Sequence, residues 1–390
     1  MTINQPENSV FIQKAQPAPG SATSKKEVPG LFQPLRIRSL TLKNRVVVSP
    51  MCMFSSEDGF MNDFHFVHIG QFANYGVGLI LVEATAVLPN GRISPVCAGL
   101  WKDEHMEQMK RIVDYVHNAG SLIGIQIGHA GRKASTPAPY TTDKAERATI
   151  SPEQGGWEDI WGPSPIKWND GWACPHEMTA EEIDTVKQAF VASAIRAEKI
   201  GYDVLEIHGA HGYLINQFLS PVSNQRNDQY GGSFENRIRL PIEIVKAVRG
   251  VWPKEKPLFF RISSVEWVPE GWSIEDTVEL SKQLLQFGVD LLDCSSGGNS
   301  VNQKVLIAPG YQVPFAQQVK SQVSSLLTGA VGLITDAHQA NNIIESKQAD
   351  IVLLGRELLH NTSWTLKAAY DLGVDVSWPT QYGYCCKRRI

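Results

Sequence analysis

The sequence predicts a (β/α)8 TIM barrel, a single domain with one long lid loop. Eight short runs of β-branched and apolar residues recur along the chain, and segments of helical periodicity separate them. The runs are continuously apolar rather than alternating, as parallel strands covered on both faces require. A doubly wound open sheet would normally declare a G-x-G-x-x-G turn after its first strand, and none is present.

In chain order, residues 1–30 are Pro-, Ser-, Gln- and Lys-bearing without the apolar core of a signal peptide, and read as a flexible arm. The strand runs are 45–49, 77–82, 121–127, 202–207, 258–262, 289–294, 331–334 and 350–354. Helical periodicity fills 104–118, 180–200, 235–249, 274–287, 337–346 and 362–370. Thr179 ahead of Glu181 and Glu182, and Thr335-Asp336 ahead of Ala337, are helix-start signals. Gly120, Gly201 and Gly288 follow helices, where a left-handed residue is wanted. Residues 131–178 exceed what a barrel loop needs and carry Trp157, Trp161, Trp168 and Trp172, so a lid folded over the mouth is expected. The barrel then spans 31–375, with a tail over 376–390.

Composition narrows the function. The 390 residues are 43% hydrophobic and 19% charged, which rules out disorder over most of the length. Lys plus Arg number 36 against 40 Asp plus Glu, a net charge of −4, so the basic excess of a nucleic-acid binder is missing. No stretch approaches the ~20 apolar residues of a membrane span. Cys52, Cys97, Cys174, Cys294, Cys385 and Cys386 show no C-x-x-C and no paired spacing, against a disulfide scaffold, a zinc site or a cysteine-ligated cluster. A cytoplasmic protein is expected, with a small-molecule substrate and no membrane or nucleic-acid partner; a homo-oligomer is compatible with the sequence.

Barrel active sites form at the C-terminal ends of the strands. Those ends carry Ser49 to Phe54, Glu83-Ala84-Thr85, Gln126 with His129 to Lys133, His208 to Tyr213, Arg261, Cys294 to Gly298, and Gly355-Arg356. No G-x-S-x-G elbow and no acidic pair stands out, which speaks against hydrolases. His208-x-x-His211 could hold a metal, but no third ligand lies near in sequence and Lys and Arg dominate the other ends; no metal is expected. The same two imidazoles can instead hold a substrate oxygen, with the Tyr213 phenol offering a proton nearby. Gly355-Arg356, with Thr335-Asp336, fits the phosphate site that barrels place after their last two strands. His65-x-x-His68 reads as ordinary helix surface or core.

These residues resemble the Old Yellow Enzyme family. The resemblance rests on Ser-Pro-Met-Cys at 49–52, Gly-Ile-Gln at 124–126, His-Ala-Gly-Arg-Lys at 129–133 and His-Gly-Ala-His-Gly-Tyr at 208–213. Leu-Ser-Pro-x-Ser-Asn-x-Arg at 219–226 and Asp-x-Tyr-Gly-Gly-Ser-x-Glu-Asn-Arg at 228–237 extend it, and similarity runs from about Leu31 to Asp371. Cys52 points to the bacterial-type, thermophilic-like subgroup typified by xenobiotic reductase.

The resemblance implies a barrel holding FMN non-covalently, reduced by NADPH or NADH. It assigns Ser49, Pro50, Met51 and Cys52 to one face of the flavin, Ala84 and Gln126 to its polar edge, Arg261 to its N1 side, and Gly355 and Arg356 to its phosphate. It assigns His208 and His211 to the substrate oxygen and Tyr213 to proton donation. The implied activity is a ping-pong ene-reductase acting on α,β-unsaturated carbonyl or nitro compounds. A flavin-assisted isomerisation or oxidation is the alternative, and a phosphate-substrate aldolase or isomerase a distant one. Phe54 replaces a Tyr common in relatives, which removes a hydroxyl from the substrate pocket. Gln381-Tyr382 is followed by Gly383-Tyr384-Cys385-Cys386 rather than by the Arg that relatives often send into a neighbouring subunit's site.

Overall fold

The computed structural model describes residues 17–24, 27–142 and 147–386. A short hairpin comes first, β1 (Leu35–Ile37) paired antiparallel with β2 (Leu40–Leu42). Then follow β3 (Val46–Val48), β4 (Leu79–Ala86) and β5 (Leu122–Gly128), and, in the long insertion, the two-residue strands β6 (Trp161–Gly162) and β7 (His176–Glu177). The chain continues with β8 (Val204–Gly209), β9 (Leu258–Ser263), β10 (Leu291–Ser295), β11 (Leu327–Ala330) and β12 (Ile351–Leu354). β3, β4, β5 and β8 to β12 close into one parallel barrel, each strand paired with its neighbour in chain order and β12 returning to β3. This is the predicted (β/α)8 architecture.

Helices alternate with the strands. The first three are α1 (Asp63–Asn74), α2 (Met106–Asn118) and α3 (Ala180–Ile200). The expected 180–200 helix starts and stops where its signals place it. Thr179 accepts the Glu182 N–H while the Glu182 side chain reaches back to the Thr179 N–H, and Gly201 ends the helix at φ 101°. After β8 come α4 (Leu214–Leu219), α5 (Phe234–Arg237) and α6 (Arg239–Val251). The single helix expected over 235–249 is thus two, broken at Ile238, with Pro241 in the first turn of the second, where a missing N–H is tolerated. α7 (Ile274–Gln286), α8 (Val313–Gln322), α9 (Ala337–Glu345), α10 (Arg356–His360), α11 (Trp364–Asp371) and α12 (Gly383–Cys386) complete the set.

The seventh strand corrects the sequence reading. It occupies Leu327–Ala330, not 331–334. Within 331–334, Gly332 has φ 121° and Leu333 φ 49°, left-handed conformations that no strand accommodates. The true strand, Leu-Thr-Gly-Ala, lacks the apolar signature because it is tightly packed: a Cβ on Gly329 would meet Leu353 Cδ1 at 2.5 Å.

Two apolar cores hold the barrel. The larger fills the layer between strands and helices. The smaller lies inside the barrel, where Val47, Leu79, Val204, Phe259, Leu291 and Leu353 pack on Ile37 and Leu42 of the hairpin, so β1 and β2 plug one end. Residues 17–24, expected within a free arm, run alongside the C-terminal segment: Gly20 N–H bonds Ser377 O at 2.9 Å, and Thr23 N–H bonds Asp375 O at 2.8 Å. Residues 1–16 of that expected arm, and 387–390 of the expected tail, lie outside the described residues. Among the described residues no helix is long and apolar enough to cross a membrane.

Candidate active site

The open end of the barrel gathers the strand-end residues. Its floor is Arg261, 4% exposed, on β9. β9 and β3 stand on opposite walls of the eight-strand barrel, so the Arg261 guanidinium crosses the axis to donate to Ser49 Oγ at 3.1 Å. Two fully buried carboxyls accompany it. Asp293 Oδ2 on β10 is 3.0 Å from Arg261 Nε, an ion-pair approach without hydrogen-bond alignment. Glu206 on β8 accepts from Gln126 Nε2 at 2.8 Å. Burial, then repulsion from Asp293, raises the Glu206 carboxyl above its ordinary value, and burial likewise raises Asp293.

Above the floor, His208, His211 and Tyr213 form one aromatic group. The His208 ring is 5.2 Å from that of His211 and 5.1 Å from that of Tyr213, both nearly perpendicular. Burial, then the nearby Arg261 charge, holds both imidazoles well below their ordinary value, and burial raises Tyr213, so all three rings are neutral at physiological pH. Ala210 N–H donates to His208 Nδ1 at 3.2 Å, which leaves the ring proton on Nε2. His211 stands at φ 61°, a left-handed backbone held by its N–H to Ser263 Oγ at 2.8 Å and by Lys133 Nζ on its carbonyl at 2.8 Å. Gly212 follows because a Cβ there would meet Gly298 O at 2.3 Å.

Around this group the loops close in. Cys52, Phe54 and Tyr213 border one apolar cluster with Cys97 and Ile93, and burial raises the Cys52 thiol. Ala84 follows Glu83 at an irregularity in the β4–β5 register, and it lines a recess with His129, His208 and Tyr213. Met51 meets Gly355 across the β3–β12 seam: a Cβ on Gly355 would be 3.5 Å from Met51 Sδ. Pro50 joins the Ser49 and Met51 positions. Gly355 and Arg356 border an open hollow of about 460 Å³ with Gln312, Gly332 and Thr335.

The 131–178 insertion rests on loops that all follow strand ends, which places it over the open end. Tyr140 donates to Phe54 O. Trp168 Nε1 donates to Gly298 O at 3.0 Å, and buried Arg132 grips Asn299 O and Oδ1 at 2.7 and 2.9 Å.

The sequence profile of the NADH:flavin oxidoreductase / NADH oxidase family matches residues 30–374. The chain belongs to this family. The motifs that resemble Old Yellow Enzyme thus lie on a flavin oxidoreductase, an enzyme that works with FMN and a reduced nicotinamide. An NADPH dehydrogenase of Geobacillus sp. (strain WCH70) is 46% identical over 354 residues, 90% of this chain and 97% of the relative. The NADPH dehydrogenase of Halalkalibacterium halodurans is 44% identical over the same shares. Among solved structures, morphinone reductase in complex with tetrahydroNAD aligns at TM-score 0.71 with 26% identity, covering 90% of this chain and 93% of that one.

The flavin oxidoreductase's donor set fits FMN. A buried cation on the barrel axis, a fixed primary amide and an open hollow beside Gly355-Arg356 answer an electron-accepting ring, its polar edge and a phosphate. Sequence reasoning missed Glu206 and Asp293, although an acid inside an apolar strand run was the available signal. It set Ser295, Lys133 and Glu83 at the strand ends but gave them no role. Glu83 accepts from Met53 N–H at 3.2 Å and lies 3.5 Å from buried His65, so His65 supports the Cys52–Met53 loop from behind.

Proposed function

We propose that this enzyme reduces the activated C=C bond of α,β-unsaturated carbonyl or nitro compounds at the expense of NADPH or NADH. The observation that carries the reading is the neutral His208–His211–Tyr213 group above the Arg261 floor. FMN, when bound, supplies the hydride acceptor and donor. We assign Ser49, Pro50, Met51 and Cys52 to one face of its ring, Ala84 and Gln126 to its polar edge, Arg261 to the N1 side, where charge develops on reduction, and Gly355 and Arg356 to its phosphate.

The chain's own residues do the rest. His208 and His211, neutral and N–H bearing, hold the substrate oxygen and favour the enolate-like charge of the transition state. Tyr213, protonated across the physiological range, delivers a proton to the α-carbon as hydride reaches the β-carbon. Phe54 and the insertion bound the apolar side of the pocket.

The test is an anaerobic visible spectrum of the purified protein, titrated with NADPH and then with cyclohexenone. Flavin bands that bleach and return support both half-reactions. Bands that bleach and stay bleached overturn the enone reading and favour a redox-neutral or other oxidative role.

A further inference from the structure

Beside His211 stands a residue with no role so far. His211 Nε2 is 2.7 Å from Ser295 Oγ, at the C-terminal end of β10. The hydroxyl of Ser295 has one proton to place. Its other acceptor is Gln312 Oε1, 3.5 Å away, and that oxygen already takes the Ser296 hydroxyl at 2.6 Å. The Gln312 amide cannot turn to offer a better arrangement, because its NH2 donates to Val331 O at 3.1 Å. The short bond therefore takes the proton: Ser295 O–H donates to His211 Nε2.

From this geometry we infer that Ser295 is a positioning residue that fixes the tautomer of His211 with its ring proton on Nδ1. His208 carries its proton on Nε2, because Ala210 N–H occupies Nδ1. The two perpendicular rings thus present opposite nitrogens as donors, an Nε2–H from one and an Nδ1–H from the other. Lys133, bonded to the His211 and Gly298 carbonyls at 2.8 and 2.9 Å, keeps the backbone from turning the ring over. The inference rests on the enone reading for its use, since it says which atoms hold the substrate oxygen. The tautomer itself is independent of that reading.

The experiment is a long-range proton–nitrogen correlation spectrum of the FMN-loaded protein carrying ring-15N histidine, with His208→Gln and His211→Gln used only to assign signals. The expected pattern has a protonated Nδ1 and bare Nε2 for His211, and the reverse for His208. In Ser295→Ala the His211 pattern averages or reverses, and in Ser295→Thr, which keeps the hydroxyl, it is retained. Reoxidation of reduced flavin by cyclohexenone slows about tenfold in the Ala variant, the factor for one neutral hydrogen bond, and recovers in the Thr variant. A His211 ring with its proton on Nε2, or one unchanged in Ser295→Ala, overturns the inference. Failure of the enone reading shows separately, as absent reoxidation in the unsubstituted protein.

Discussion

Tyr213 is a half-buried phenol with no hydroxyl partner among the described residues, set beside His208 and raised above its ordinary value. That leaves its proton available to a ligand in the recess it lines. Tyr213→Phe is therefore expected to leave flavin reduction by NADPH within a few-fold while slowing reoxidation by an enone about 100-fold or more; stopped-flow measurement of the two half-reactions checks it. Glu83 makes a second residue-level prediction. Its carboxyl is pushed from 4.5 up to about 8 by burial, so in that window the folded chain holds a proton that the unfolded chain has released. Stability accordingly falls as pH rises from 4.5 to 8, by at most about 1.4 kcal/mol per pH unit from this group. Glu83→Gln is expected to lose that slope, so thermal midpoints of variant and parent should compare more favourably for the variant at pH 8 than at pH 5. The sequence made Tyr213, His208 and His211 legible as a motif. Glu83 and Glu206 stayed silent because burial, not residue type, changes their chemistry.

Elements were legible wherever periodicity and caps agreed, as with α3. They were misread where packing overrode composition, as with β11, whose Thr-Gly-Ala core contains no β-branched aliphatic residue. Two-residue strands such as β6 and β7 carry no signal at all; they exist because the insertion has neighbours to lean on. Asn299 is one of them, held by the Arg132 guanidinium, which also bonds Ile166 O at 3.2 Å within the insertion. Arg132→Met should strip those bonds while keeping apolar bulk. Amide exchange across 156–172 is expected to accelerate at least tenfold, with β8 to β10 unchanged, as read by hydrogen-exchange mass spectrometry.

For the molecule as a whole, the closed barrel and seven of its eight strands were readable, because a repeated βα unit leaves the same pattern again and again. The hairpin β1–β2 was not, since three-residue strands fall below the length at which alternation can be seen. Its Leu42 is fully buried in the interior core. Leu42→Ala should destabilise the fold by roughly 2–5 kcal/mol while leaving the visible flavin spectrum unaltered, as thermal unfolding and absorbance together would report.

That plug also decides how molecules come and go. With one end of the barrel filled by Ile37 and Leu42, the reacting groups are reached from the other end, which the insertion partly roofs. On the proposed reading, electron donor and electron acceptor share that end, and whichever is in excess keeps the other outside. At fixed, scarce NADPH, turnover should climb with enone concentration, pass a maximum and decline: traffic regulation written into the architecture itself.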